Sequence, residues 1–295
     1  MGTRPLLLLG LRPRAFLSLV VVFFSAGLAS PAAWPHTDLL LQIEQVTADI
    51  ETVPSPSADL FIRRGELYRR HESWAAALAD FATARDIQPD RGDLDWFEGR
   101  VHIEAGDHEQ GIGLVSRFIA RNEPHASAYR YRAMALARTG DREAAARDYA
   151  AAISVSEAPS PALYRALVVE QIAAGRDGEA RVSIDEGLSR FPVEVSLLGL
   201  GVDLAVREGS AERALTFLER VPEPVRALPQ WRLRTWLMAC ISDKEQGGSG
   251  LSMEPAQARG TQAELIAAAL AELGEHPQAS ECRRAGAAML GARQP

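Results

Sequence analysis

Ala58–Arg91 reads ADLFIRRGELYRRHESWAAALADFATARDIQPDR, and the spacing of its small and large apolar residues decides the fold. Phe61, Gly65 and Tyr68 stand at four- and three-residue steps in the first half, and Ala77, Phe81 and Ala84 repeat those steps in the second. Residues at i, i+4 and i+7 share one face of an α-helix, so the stretch predicts two short amphipathic helices. Pro89 closes the second, because proline cannot continue a helix.

The pattern recurs along the chain. Gly106, Gly140, Gly175 and Gly209 are spaced 34, 35 and 34 residues apart, each ending one amphipathic segment and followed by a short polar turn that starts another. The second-helix triad returns as Gly111-Val115-Phe118, Ala145-Tyr149-Ala152, Ala180-Ile184-Gly187 and Ala214-Leu218-Val221. The first helices carry Gly65, Gly99 or the small Ala133 where two helices must approach, with Phe61, Tyr129, Tyr164 and Leu198 nearby. Prolines 89, 124, 159, 192 and 222 close the units. A fixed period of this length predicts stacked helical hairpins.

With Phe61, Gly65, Tyr68, Ala77, Phe81, Ala84 and Pro89 in place, Ala58–Arg91 resembles a tetratricopeptide repeat (TPR). Five units are similar to it: 58–91, 92–125, 126–159, 161–194 and 195–228. The resemblance implies an all-α, right-handed α-solenoid whose first helices line a concave, partner-binding side. Gly111 and Gly113 depart from the pattern, and each costs about 1 kcal/mol against alanine inside a helix, so the second unit is expected to be the least stable. Residues 229–295 are read as a helical cap with a degenerate sixth unit around Gly274 and Ala279, where Arg283 occupies the large apolar position.

The chain of 295 residues carries a formal net charge of -7, which argues against general nucleic-acid binding. Residues 1–29 contain Arg4, Arg12 and Arg14 and no acid, followed by an apolar run from Ala15 to Leu28. This is the layout of a signal peptide, and the run falls short of the ~20 residues that span a bilayer. Small residues place cleavage before Ser30 or Ala33. The expected location is periplasmic or secreted; the alternative is an uncleaved inner-membrane anchor, the one case in which a membrane is a partner. Residues 30–57 form a linker and a capping helix, Leu39–Thr52, with Asp38 as N-cap and an apolar face of Leu40, Ile43, Val46 and Ile50.

Catalytic patterns fail on inspection. His71-Glu72 and His108-Glu109 lack the second histidine of a zinc-protease helix, since Ala75 and Ile112 stand there. His102, Glu104, Asp107 and His108 form the densest group of candidate metal ligands and fall at a turn, as solvent-face residues do. No catalytic, cofactor or metal site is assigned. In an oxidising compartment Cys240 and Cys282 either pair or remain two separately buried thiols. If paired, they staple the C-terminal cap.

The expected site is the concave groove. Its non-core positions are Trp96 and Arg100 in the second unit, Arg130, Tyr131, Met134 and Arg138 in the third, and Arg165 and Val169 in the fourth. Guanidinium forks among apolar side chains suit a peptide or protein partner carrying carboxylates. The competing expectation is that these arginines pair with acids of adjacent helices.

Overall fold

A computed structural model describes residues 35–228 together with Trp231, Arg234, Thr235, Met238 and Ser242. Among the described residues every regular element is a helix. The leader helix α1 (Pro35–Thr52) precedes a first hairpin of α2 (Ala58–Arg70) and α3 (Trp74–Ile87). Then come α4 (Leu94–Ala105) with α5 (His108–Arg121), α6 (Ala126–Thr139) with α7 (Arg142–Ser154), and α8 (Pro161–Ala173) with α9 (Asp177–Arg190). The last hairpin pairs α10 (Val195–Arg207) with α11 (Ala211–Arg220), and a single turn, α12 (Glu223–Arg226), follows. The result is an all-α solenoid in which each hairpin helix packs on its neighbour in sequence. Beyond those neighbours, the substantial contacts join successive first helices, α2 to α4, α4 to α6 and α8 to α10.

The second-helix triads form the core, and every one of their fifteen residues is buried. Small residues on the facing helix make room for them: a Cβ on Gly65 would fall 2.5 Å from the Phe81 ring, and one on Gly99 would fall 2.8 Å from Val115 Cγ2. Burying a phenylalanine in this way is worth about 1.5–3 kcal/mol. Two hairpins add the same buried ion pair between their helices. The Arg64 guanidinium donates to Asp80 at 2.8 and 2.7 Å, and that of Arg132 to Asp148 at 2.7 and 2.8 Å.

Left-handed residues set the turns. Gly106, Gly140, Gly175 and Gly209 have φ of +93°, +92°, +71° and +73°. In each case the following amide reaches back five residues, as from Asp107 N to the His102 carbonyl at 2.8 Å, closing a Schellman cap. In the first hairpin Glu72 takes this place with φ +60°, and Ser73 N bonds the Tyr68 carbonyl at 2.8 Å. The series therefore runs one step further back than its glycines reveal.

Two local expectations are corrected. Helix α1 starts at Pro35, so Asp38 lies in its first turn, accepting a bond from Gln42 Nε2 at 2.7 Å, rather than capping it. Its inward face is Leu39, Ile43 and Val46, which cluster with Leu67, with Ile50 partly buried at its edge, while Leu40 is 47% exposed. That face follows from the i, i+4, i+7 rule counted from Leu39. The two glycines of α5 also differ. A Cβ on Gly111 would meet Ile103 Cγ1 at 2.4 Å and the Gly99 carbonyl oxygen at 3.0 Å, whereas one on Gly113 meets nothing within 4 Å. Gly111 is thus part of a close α4–α5 crossing, and only Gly113 is an uncompensated cost. Residues 1–29, Cys240, Cys282 and the sixth unit lie outside the described residues.

Candidate partner groove on the first helices

On α2, α4 and α6, polar side chains link three successive first helices. Arg69 Nη1 donates to both oxygens of Glu104 at 2.7 and 2.6 Å, and its Nε donates to Glu66 at 3.2 Å. Arg100 Nη1 donates to the second oxygen of Glu66 at 3.0 Å, and the Tyr131 hydroxyl donates to Glu104 at 2.8 Å. Burial works against the Arg69 charge, but the bond to Glu104 and the carboxylate of Glu66 outweigh it and raise its pKa above the ordinary guanidinium value. The Arg100 guanidinium lies between two rings, 5.0 Å from that of Trp96 and 5.4 Å from that of Tyr131. Both distances are in the cation–π range. Only 15% of the Arg100 side chain is exposed.

The face changes character between α6 and α8. Arg130 stacks 4.8 Å from the Tyr131 ring and places Nη1 3.9 Å from Met134 Sδ, and it has no carboxylate partner among the described residues. Arg165 and Arg138 are exposed and likewise form no ion pair among the described residues. Met134 and Val169 are 38% and 42% exposed beside them. A cleft of about 420 Å³ opens between α6 and α8, with Tyr149 of α7 among its lining residues. Burial, and then the negative charge of Glu170, push the Tyr149 hydroxyl pKa up, with Arg130 opposing.

No protein-family model and no curated protein matches the sequence. Solved structures match its fold. The C-terminal part of a TPR repeat-containing protein from Cytophaga hutchinsonii superposes with a TM-score of 0.57 at 13% identity, over 83% of this chain and 94% of that one. YrrB, described as a TPR protein with an unusual peptide-binding site, superposes with a TM-score of 0.52 at 14% identity, over 60% of this chain and 91% of its own. This chain has the fold of a tetratricopeptide-repeat solenoid. A third TPR protein, from Parabacteroides merdae, gives a TM-score of 0.50 at 17% identity, over 84% and 92% of the two chains. At these identities the likeness carries the fold and leaves the partner to the side chains of this solenoid.

The eight expected groove residues therefore divide. Trp96, Arg100 and Tyr131 are engaged within the TPR solenoid, Trp96 through ring contacts to Phe118 at 5.7 Å and Tyr131 at 5.3 Å. The expected arginine stripe is interrupted at Arg100, because Glu66 supplies its counter-charge. Arg130, Arg138, Arg165, Met134 and Val169 face outward on α6 and α8. Glu66, Arg69 and the Tyr149 hydroxyl are not singled out by the sequence, and Glu104, a candidate metal ligand there, belongs to the groove network instead. One signal was present, since Glu66 and Arg100 stand 34 residues apart, one repeat length. The ligand-type cluster at the second turn does not converge: Glu104 is turned to Arg69 and Tyr131, while His102 faces Asp107 at 3.2 Å.

Proposed function

We propose that this chain is a non-enzymatic interaction scaffold, exported to the cell envelope, that holds a protein or peptide partner on the face formed by its first helices. What supports this is the contrast within that face. The arginine of the second repeat is neutralised and stacked, whereas Arg130, Arg138 and Arg165 keep uncompensated charge beside the exposed Met134 and Val169. Guanidinium forks next to apolar surface select a segment that supplies both carboxylates and apolar contacts. YrrB, whose fold this chain matches over 60% of its length, is described as having a peptide-binding site, which favours a peptide as the partner class. The acid-free N-terminus with its three arginines and apolar run supports export. Were that run retained, the same scaffold would act as a tethered accessory subunit.

Reversing Arg130 and Arg165 to glutamate tests the proposal. Charge-assisted hydrogen bonds are worth about 1.5–3 kcal/mol each, so capture of partners from envelope extract should fall by well over tenfold relative to the wild type. The thermal midpoint should hardly move, because neither side chain packs in the core, while Phe81→Ala should cost about 3–5 kcal/mol and melt the first hairpin. Unchanged capture of every envelope partner by a folded double variant overturns the proposal.

A further inference from the structure

We propose that the cleft between α6 and α8 is a carboxylate anchor: it seats one acidic side chain of a bound peptide, with the carboxylate on Arg130 and the Tyr149 hydroxyl and the aliphatic stem between Met134 and Leu163. This rests on the partner-binding reading of the first-helix face and narrows it to one subsite.

The cleft has a structural origin. The spacing from Gly140 to Gly175 is 35 residues where the flanking spacings are 34. At this step α8 packs mainly on α7, and α6 and α8 are the one successive pair of first helices in α2–α10 without substantial contact. The opening of about 420 Å³ lies within the ~300–1,000 Å³ common for binding clefts. Ala162 and Ala166 of α8 keep the far wall low, and Ser127, Ser156 and Ser160 place hydroxyls around it where a peptide backbone could bond.

Its chemistry is one-sided. Arg130 is oriented by stacking on Tyr131 and lacks a carboxylate, and Tyr149 is 7% exposed with no hydrogen-bond partner for its hydroxyl among the described residues. Both groups reach the cleft as donors with no acceptor among the described residues, and the guanidinium adds a positive charge, so the pair suits an acceptor that carries negative charge. The raised Tyr149 pKa keeps that hydroxyl protonated, and hence a donor, at neutral pH. Glu170, the carboxylate that acts on Tyr149, is already bound by Arg142 at 2.8 Å. A smaller cleft of about 330 Å³ on α7–α9 carries its own counter-charge, Arg176 being bonded to Glu143 at 2.7 Å.

The test titrates the ¹⁵N-labelled full-length chain with acetyl-Ala-Ala-Glu-Ala-Ala-amide, with its glutamine counterpart, and with an all-alanine pentapeptide ending in a free carboxylate. The glutamate peptide should shift amides of Ala126–Arg130 and Ala162–Ala166, and should bind at least about tenfold more tightly than the glutamine peptide. Arg130→Gln should erase that difference, and Tyr149→Phe, which keeps the ring in place, should reduce it. Preference for the free-carboxylate peptide overturns the side-chain assignment in favour of a chain terminus. Equal binding of the glutamate and glutamine peptides, or shifts confined to α2–α4, overturns the anchor. If either result accompanies lost partner capture by the Arg130→Glu/Arg165→Glu variant, the subsite fails while the broader face stands.

Discussion

Two alanine substitutions two residues apart in α5 should act in opposite directions. Gly113 sits in a helix interior with nothing within 4 Å of an added Cβ, so Gly113→Ala gains the full propensity difference, about 1 kcal/mol. Gly111→Ala gains the same amount and loses more. Its Cβ would fall 2.4 Å from Ile103 Cγ1, 3.0 Å from the Gly99 carbonyl oxygen and 3.1 Å from the Ile103 amide nitrogen. The isoleucine end could swing aside, but the backbone atoms cannot, so the α4–α5 crossing has to open at a cost of about 1–3 kcal/mol. The two variants should differ by about 2 kcal/mol, which is about 4–8 °C in thermal midpoint for a domain of this size. Because a solenoid loosens locally, hydrogen exchange should show the loss in α4 and α5 first. Equal stabilisation by both alanines would refute the close crossing.

Further outcomes follow from other contacts. Glu72→Gly should raise the urea midpoint, because a non-glycine residue at φ +60° carries about 1–2 kcal/mol of strain, part of which is returned as unfolded-chain entropy. Asp148→Ala should cost about 1.5–3 kcal/mol, since Arg132 loses its counter-charge but keeps its bond to Ser116 and some solvent, whereas replacing both partners with apolar residues should cost less in the same denaturation assay. Burial, reinforced by the bond to Glu186, pushes the Tyr164 hydroxyl pKa up to about 12, against about 10 in an unfolded chain. Between those values the unfolded chain has lost a proton that the folded chain keeps, so stability falls as pH rises from about 10 to 12. Tyr164→Phe should flatten that part of the profile, and an unchanged slope would exclude Tyr164 as its source.

The helices were legible because hairpin packing writes itself at short range. Ala77, Phe81 and Ala84 must share a face whatever lies beyond the hairpin, and a residue such as Gly106 announces its turn through backbone geometry alone. Glu72 escaped notice for the converse reason: its conformation is imposed by the cap, and its residue type hides it. The groove was less legible, since whether an arginine is free depends on acids one repeat away. Arg100 and Arg130 look alike in sequence, yet Glu66 lies opposite the first and, among the described residues, no carboxylate lies opposite the second. The α6–α8 cleft left a trace only in one spacing of 35.

The network of Glu66, Arg69, Arg100, Glu104 and Tyr131 also has a mechanical consequence. It laces α2, α4 and α6 across one side, while no side-chain hydrogen bond joins α6 to α8 among the described residues. The third and fourth hairpins are joined instead through α7, by its packing on α8 and by the Arg142–Glu170 and Arg176–Glu143 ion pairs, so the cleft side opens about that seam. A residue wedged there spreads two levers whose far ends lie several helices away. Tension on the ends of the stack and occupancy of the cleft then become conjugate variables, each able to bias the other.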